Sequence, residues 1–380
     1  MHPRTLFRSA ALALAVSFTL GAPSAFAAEK AAAATVATNV ERKPIAQGLY
    51  ELAFSPTQNA VFVASSGGFG DAAGPSQVLR LNPETLAVEK AIPLERKAFG
   101  VVLDDAHNRL YVGNTVDTSV TVVDTAQNKA IGIVQLMEKK VGKDGKAAYT
   151  HDLRELVVDP ANNRLYVTGH SGEGSVLFVV DTQSLKLINT IPGLGNAKAP
   201  GLVFDASNKR VLTSNLLGEV VTVGTESAKV EQRFKVTAEQ PMNLALDPTG
   251  KRLFVTDQGL EMIRKYQGNS IPGFVSKHPG QRVLVLDPKT GKELASIPTD
   301  AGPLGLLLDA PRHRLYVTNR EAGTVTAYDS NSYKQLATYA VPTHPNSLAL
   351  DAKNNVLYVT IKNGEKDEKG SEESVARIAL

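Results

Sequence analysis

One short apolar pattern recurs along the chain at intervals typical of a repeat protein. The copies are "NAVFVAS" at 59–65, "NRLYVGN" at 108–114, "NRLYVTG" at 163–169, "KRVLTSN" at 209–215, "KRLFVTD" at 251–257, "HRLYVTN" at 313–319 and "NVLYVTI" at 355–361. Each copy follows another apolar run, and a polar residue stands seven positions before its central residue: Ser55, Asp104, Asp159, Asp205, Asp247, Asp309 and Asp351. Short β-branched runs separated by Asp-Pro and Asn-Asn turns indicate strands, not helices.

Each repeat unit contains four such strands. A third strand ends in another turn signal, as in "VTVVDT" at 120–125 and "VLVLDP" at 283–288, and a fourth strand follows it. The 42-residue spacing from Asp205 to Asp247, and again from Asp309 to Asp351, is typical of a propeller blade. We therefore predict an all-β protein, a single seven-bladed β-propeller with four-stranded antiparallel blades.

The two ends of the chain are predicted to complete one blade together. The seventh repeat stops after its third strand, "SVARIAL" at 374–380, and residues 38–45 precede the first repeat at the spacing of a fourth strand. We predict that residues 28–47 form an N-terminal arm and closing strand, and that residues 48–380 form the propeller. Closure of this kind covers a sheet edge that would otherwise pair with other chains. The expected state is a monomer.

The first 27 residues resemble a secretory leader. Arg4 and Arg8 precede an apolar run from residue 10 to residue 22, and Ala25-Phe26-Ala27 is a small-x-small cleavage site. We expect residues 1–27 to be removed as a signal peptide and the product to be periplasmic, with no membrane span. The chain has no cysteine, and its formal net charge of only +3 excludes a globally basic nucleic-acid footprint.

Loop lengths distinguish the two faces of the predicted ring. In a propeller, the loops between the second and third strands share one face with the loops between blades. The insertions at 65–76, 138–150, 258–280 and 361–373 all fall on that face, where loops carry function. Drift of insertions to a tolerant face is the alternative interpretation. Strand register places the following residues at the channel mouth of this face: Tyr50, Glu51, His151, Arg154, Glu155, His344 and Asn346.

Catalytic and metal-binding motifs are absent from the sequence. It contains no GxSxG, HExxH, P-loop or EF-hand pattern. His151, His170, His278 and His344 fall on the loop face without a ligand spacing, so we predict no metal and no cofactor. We predict a non-enzymatic protein. The alternative is a small-molecule enzyme of lyase or lactonase type that uses Glu51, His151, Glu155 and His344.

Basic and aromatic residues alternate in three loops of the same face. The candidate DNA-binding residues are Arg96, Lys97, Phe99, Lys139, Lys140, Lys143, Tyr149, Arg264, Lys265 and Tyr266. Basic side chains pair with phosphates and aromatic rings stack on unpaired bases, so this composition favours a single-stranded nucleic acid. The loop at 361–373 is acidic by contrast. Lysines that only keep an exposed loop in solution are the competing interpretation.

The repeats also resemble a known family. The "LYVTN" strands, "GNTVDTSVT" at 113–121 and "THPNSLAL" at 343–350 are similar to the YVTN-type β-propellers of the Gram-negative periplasm. The resemblance implies an exported, non-enzymatic seven-bladed propeller that binds DNA and favours single strands. This chain departs from the pattern because it has no tryptophan to stack on bases. A scaffold for an envelope protein partner is a further alternative.

Overall fold

A computed structural model describes residues 39–71, 73–142 and 145–380. It confirms the predicted fold, since this part of the chain forms seven four-stranded antiparallel sheets arranged as the blades of a propeller. The predicted signal peptide at 1–27 lies outside the described residues, as do the first part of the N-terminal arm and Lys143. Among the described residues, none of the helices combines the length and apolar character that a membrane crossing requires.

The first four blades follow in chain order after the closing strand β1 (Val40–Ala46). Blade 1 contains β2 (Leu49–Ser55), β3 (Ala60–Ser65), β4 (Gln77–Leu81) and β5 (Val88–Pro93), and blade 2 contains β6 (Val101–Asp104), β7 (Arg109–Asn114), β8 (Ser119–Asp124) and β9 (Lys129–Gln135). A small hairpin, β10 (Lys140–Val141) and β11 (Ala147–Ala148), precedes blade 3, which contains β12 (Asp152–Asp159), β13 (Arg164–His170), β14 (Val176–Asp181) and β15 (Lys186–Pro192). Blade 4 contains β16 (Leu202–Asp205), β17 (Arg210–Asn215), β18 (Glu219–Gly224) and β19 (Lys229–Lys235).

The remaining blades include a ten-residue helix. Blade 5 contains β20 (Pro241–Leu246), β21 (Leu253–Asp257), β22 (Arg282–Leu286) and β23 (Glu293–Pro298), with helix α1 (Glu261–Ser270) between its second and third strands. Blade 6 contains β24 (Pro303–Asp309), β25 (Arg314–Asn319), β26 (Thr324–Asp329) and β27 (Gln335–Ala340). Blade 7 contains β28 (His344–Asp351), β29 (Val356–Lys362) and β30 (Glu373–Ala379). Four single-turn 3-10 helices lie at Asp105–His107, Thr115–Asp117, Pro160–Asn162 and Ala206–Asn208.

The core lies between blades, not at the centre of the ring. Seven apolar clusters among the described residues each join two neighbouring blades, as Val61 and Val63 of blade 1 do with Tyr358 of blade 7. The second strand of each blade is buried on both sides, which explains its continuous apolar character. The first strands contact one another around the ring and line the channel.

The repeated aspartate organises the turn between the first and second strands. Asp104, Asp159 and Asp205 each accept a hydrogen bond from the backbone N–H three residues later, which caps a single 3-10 turn. Asn108 and Asn163 end two of these turns in the left-handed region, where asparagine is tolerated best after glycine. The Asp and Asn of the repeat therefore specify turn geometry.

The closing strand pairs as the sequence predicted. Strand β1 runs antiparallel to β30, with Val40 opposite Ile378 and Lys43 opposite Val375, so the sheet order of blade 7 is β1-β30-β29-β28. Ile45 is buried in the cluster between blades 7 and 1. The N–H of Leu49, the first residue of blade 1, donates to Glu373 Oε2 at 2.6 Å. The first and last segments of the propeller are thus joined by strand pairing, apolar contact and a buried polar bond.

Candidate functional site

The channel mouth on the loop face is a cavity covered by helix α1. The cavity has a volume of about 350 Å³, and the register-predicted mouth residues Tyr50, Glu51, Arg154 and Asn346 line it. Met262 and Ile263 of α1 face the same cavity. The sequence predicts a loop at 258–280, whereas ten of these residues form a helix. Helix formation turns this insertion into a wall of the mouth.

Polar contacts hold α1 across blades 4 and 5. Gln267 is fully buried, and its Nε2 donates to the carbonyl oxygens of Leu216 at 3.0 Å and Glu239 at 2.6 Å. At the other end of the helix, the Leu260 N–H donates to Gln240 Oε1 at 2.7 Å. Because both ends bond to loops of the propeller, α1 has a defined position over the mouth.

Two carboxyl groups meet inside the channel. Glu51 and Glu155 share a hydrogen bond, and the Val101 N–H donates to Glu51 Oε2 at 2.8 Å. Burial and the neighbouring Glu155 raise the pKa of Glu51 well above its ordinary value, and burial also raises the pKa of Glu155. The Glu51 carboxyl therefore holds its proton to higher pH than an ordinary glutamate, and Glu155 accepts the hydrogen bond between them. Asn243 Nδ2 also donates to Glu155, at 3.1 Å.

Arginine and lysine side chains at the mouth differ in their counter-ions. Arg154 Nε lies 3.8 Å from Glu155 Oε1, and Lys362 Nζ lies 2.9 Å from Glu373 Oε2. Arg320 has no carboxylate within 4 Å among the described residues. Its Nη1 donates to Asn346 Oδ1 at 3.0 Å, and burial lowers its pKa. Arg154 therefore has a carboxylate within ion-pair distance, whereas the acidic groups that act on Arg320, Glu321 and Glu373, lie farther away.

The loop-face histidines do not converge. His151 Nε2 lies 2.9 Å from the carbonyl oxygen of Gly174, and His344 Nδ1 lies 3.1 Å from that of Asn363. His170 is nearly buried at the cavity wall, and burial followed by nearby Lys198 lowers its pKa to about 3. Among the described residues, no group of three or more His, Asp and Glu side chains could hold a metal ion.

A row of aromatic rings leads from the cavity to the surface. The ring centroids of Tyr50 and Phe99 are 4.2 Å apart, and those of Phe99 and Phe69 are 5.8 Å apart. Phe69 is 54% exposed at the tip of the 66–76 loop. Lys97 Nζ donates to the carbonyl oxygens of Ser66 and Gly68, both at 2.8 Å, and lies 5.7 Å from the Phe69 ring centroid. Lys97 therefore fixes the loop that presents Phe69.

Basic and aromatic side chains continue along the neighbouring loop. Gln135 Oε1 accepts from Arg96 Nη1 at 2.6 Å and from the Tyr149 hydroxyl at 3.4 Å. Lys139 Nζ lies 5.2 Å from the Tyr149 ring centroid, and Lys140 is exposed in β10. The loop after blade 1 and the loop after blade 2 thus form one connected surface.

The surface extends further through blade 3 to helix α1. His151, two residues after Tyr149, bonds to Gly174 in the turn at 171–175. Tyr266 of α1 approaches the same turn, since a Cβ atom on Gly172 would lie 3.5 Å from its hydroxyl oxygen. Lys198 Nζ lies 5.9 Å from the Tyr266 ring centroid.

Arg264 and Lys265, the basic residues of α1, do not contribute equally to this surface. Arg264 Nη2 donates to the carbonyl oxygens of His278 and Pro279 at 2.9 and 2.5 Å, so it holds the insertion together. Lys265 is exposed. Arg264 is therefore a structural residue of the insertion, while Lys265 is free to meet a ligand at the surface.

Several residues of the site were missed in the sequence. In four of the seven copies, the residue directly after the repeated strand lies at the cavity: Thr115, His170, Gln258 and Arg320. The residue directly after the seventh copy is Lys362, whose Nζ lies 3.9 Å from the Tyr50 ring centroid. Register was a usable signal for this second ring of residues. Lys198 and the outward position of Phe69 carry no sequence signal.

Comparison with known proteins identifies relatives along most of the chain. "Uncharacterized protein YncE" of Salmonella typhimurium is 33% identical over 294 residues, which cover 76% of each chain. The protein of the same name from Escherichia coli strain K12 is 33% identical over 301 residues, covering 78% of this chain and 76% of the relative. No protein-family model matches the sequence.

Two solved structures show the same architecture. Kuenenia stuttgartiensis hydrazine synthase superposes with a TM-score of 0.65 at 18% identity, covering 84% of this chain and 94% of that chain. The β-propeller domain of Myceliophteria thermophila Cps50 (Swd1) superposes with a TM-score of 0.63 at 10% identity, covering 90% and 100%. Identities this low show the fold alone.

Proposed function

The chain belongs to the YncE family of β-propellers, and we propose that it is an exported periplasmic binding protein that takes single-stranded DNA on its loop face. The observation that carries this proposal is the connected surface of basic and aromatic side chains from blade 1 to helix α1. We call it the basic arc, and it comprises Phe69, Arg96, Lys139, Lys140, Tyr149, Lys198, Lys265 and Tyr266.

The chemistry of the basic arc suits an unpaired strand. Each of its three rings has a lysine within 6 Å of the centroid, so a base that stacks on the ring brings its phosphate close to an ammonium group. Duplex DNA hides the faces of its bases and offers only phosphates. Phe69, Tyr149 and Tyr266 would take the stacking role that tryptophan cannot fill in this chain.

The charge distribution of the loop face also limits where a strand would run. The loop of blade 7 carries exposed acidic residues at Glu365, Asp367, Glu368 and Glu372, and blade 7 is the neighbour of blade 1. A polyanion is repelled at that loop, so the arc has one end at blade 1. The strand is expected to follow blades 1 to 4 rather than encircle the mouth.

The same geometry supports a binding role over catalysis. The alternative mechanism that uses Glu51 and Glu155 together with His151 and His344 would need a histidine within hydrogen-bond reach of the glutamate pair. Both histidines bond instead to backbone carbonyl oxygens of blades 3 and 7. Glu51 and Glu155 bond to each other and to groups of the channel wall, which is the pattern of a structural polar network.

The proposal is tested by the affinities of matched single-stranded and double-stranded oligonucleotides at two salt concentrations. Stacking predicts tighter binding of the single strand, and each ring removed in Phe69→Ala, Tyr149→Ala or Tyr266→Ala should cost about 1–3 kcal/mol of binding free energy. Tyr149→Phe and Tyr266→Phe keep the rings and should retain affinity. Tighter duplex binding, with no loss in the alanine variants, would contradict the proposal, because a purely electrostatic surface prefers the higher charge density of duplex.

A further inference from the structure

The cavity beneath α1 has an apolar wall that the DNA-binding proposal does not use. Leu260, Met262 and Ile263 of the blade 5 insertion close it from above, and Met242 and Leu304 line it from the inner strands. The rings of Tyr50 and Phe99, tilted by 41° to each other with centroids 4.2 Å apart, form one side. A volume of about 350 Å³ is at the lower end of the range of about 300–1,000 Å³ found for small-molecule sites.

One positive charge in this wall lacks a counter-ion. Arg154 Nε lies 3.8 Å from Glu155 Oε1, and Lys362 Nζ lies 2.9 Å from Glu373 Oε2, so each of these cations has a carboxylate close by. His170 is neutral at physiological pH, because burial and nearby cations lower its pKa to about 3. Arg320 is the cavity cation that has no carboxylate within 4 Å among the described residues.

Arg320 also has unused hydrogen-bond capacity. A guanidinium group carries five N–H donors, and the described residues provide one acceptor, Asn346 Oδ1. The group is partly buried against apolar neighbours, where an unpaired charge is costly. The Nδ1 atom of His170, at the same cavity, is buried and has no hydrogen-bond partner among the described residues. Both observations indicate a site completed by a ligand.

We propose that this cavity binds a small organic monocarboxylate with a compact apolar or aromatic body. The carboxylate would pair with Arg320, and the body would lie between the Tyr50–Phe99 rings and the apolar residues of α1. A carboxylate matches the planar fork of arginine in a bidentate pair. A second negative charge on the ligand would have no free cation and would approach Glu51 and Glu155. This site is independent of the basic arc and goes beyond the proposed function.

The test uses phenylacetate as the probe, with isothermal titration calorimetry on the full protein. We expect saturable 1:1 binding, and at least about tenfold weaker binding of phenylacetamide, which keeps the shape and loses the charge. Inorganic phosphate and succinate should not compete. Affinity should be constant from pH 6 to pH 8, since Arg320 stays charged and His170 stays neutral over that range.

Two variants separate the roles of charge and apolar wall. Arg320→Gln should weaken phenylacetate binding at least about tenfold, and Ile263→Glu should abolish it through repulsion at the opposite wall. Arg314→Gln, on the other face of the ring, is the matched control and should bind like the parent. A melting curve close to that of the parent shows that each variant is folded.

Three results would overturn the proposal. They are no saturable binding of phenylacetate to the parent protein, equal affinity for the acid and the amide, and unchanged affinity in both cavity variants. Lys139→Glu, in the basic arc, should leave phenylacetate binding intact while it weakens oligonucleotide binding. This variant therefore separates the two proposals. Loss of DNA binding with retained phenylacetate binding concerns the basic arc alone and leaves the cavity site intact.

Discussion

The two faces of this propeller differ in how their charged side chains are paired. On the turn face, aspartates pair with an arginine of the same blade: Asp247 with Arg252 at 2.5 Å and Asp309 with Arg312 at 3.1 Å. On the loop face, carboxyl groups pair with each other across the channel and Arg320 is left without a counter-ion. An aspartate paired within its own blade stabilises the turn, whereas an arginine without a counter-ion at a cavity is open to a ligand.

Sequence regularity follows the same division. The turn face repeats one aspartate and one left-handed residue in nearly every blade. The loop face contains a helix in blade 5, a hairpin before blade 3 and a long loop in blade 1. Because one scaffold tolerates all of these insertions, the binding face can change without cost to the ring.

The largest expected effect concerns closure of the ring, on which both faces depend. Deletion of residues 29–45 would remove β1 and expose the edge of β30, so we expect aggregation or a large fall in melting temperature. Ile45→Asp should cost at least about 3 kcal/mol of unfolding free energy, because it places an unpaired charge between blades 7 and 1.

Lys43→Asp is the matched control for closure, since Lys43 lies on the same strand and is exposed. It should change stability little. Thermal unfolding measures the stability of each variant, and size-exclusion chromatography measures its oligomeric state. A truncated protein that is monomeric and melts at the temperature of the parent would show that β1 does not close the ring.

The blades and the closing strand could be predicted from the sequence because every blade uses the same residue pattern. Strand period, the aspartate position and the missing fourth strand together specified seven blades and the pairing of β1 with β30. Register also placed Tyr50, Arg154 and Asn346 at one mouth. Whether these residues bind a ligand stays a prediction.

The position of helix α1 and the contacts of its insertion could not be predicted from the repeat pattern. Helix α1 has no N-cap side-chain bond, and its position depends on Gln267 reaching the carbonyl oxygens of Leu216 and Glu239, which are distant in sequence. Arg264, a candidate ligand residue by composition, bonds inside the insertion. Contacts made through tertiary structure decide which basic residues remain available, and composition does not report them.

A moderate effect should appear when pH is varied, with opposite sign on the two faces. Because the pKa of Glu51 is raised, the folded state binds this proton more tightly than the unfolded chain does. The stability gained in this way is complete below the ordinary glutamate range and is lost as pH rises through the folded pKa. Burial alone would raise the pKa of Asp247, but hydrogen bonds from Thr249 and Arg252 outweigh it and lower the pKa. The contribution of Asp247 is therefore present above the ordinary aspartate range and lost as pH falls.

Two amide variants measure this difference. Glu51→Gln should raise the melting temperature by about 2–5 °C at pH 8 and change it little near pH 4. Asp247→Asn should lower the melting temperature at pH 7, and the difference should shrink near pH 3. If both variants shift stability in the same direction at pH 8, the proposed contrast between the faces is wrong.

The most direct test of the account compares charge reversals on the two faces. Lys139→Glu, Lys140→Glu and Lys198→Glu together change the basic arc, and Lys251→Glu, Lys289→Glu and Lys353→Glu make the same change at exposed positions of the turn face. Fluorescence anisotropy with a labelled single-stranded oligonucleotide measures affinity at several salt concentrations. We predict a loss of about 100-fold or more for the arc variant, with a salt slope smaller by about 2, and an affinity close to that of the parent for the turn-face variant. Equal losses from the two variants would show that only diffuse attraction holds the strand, and would contradict a binding site on the loop face.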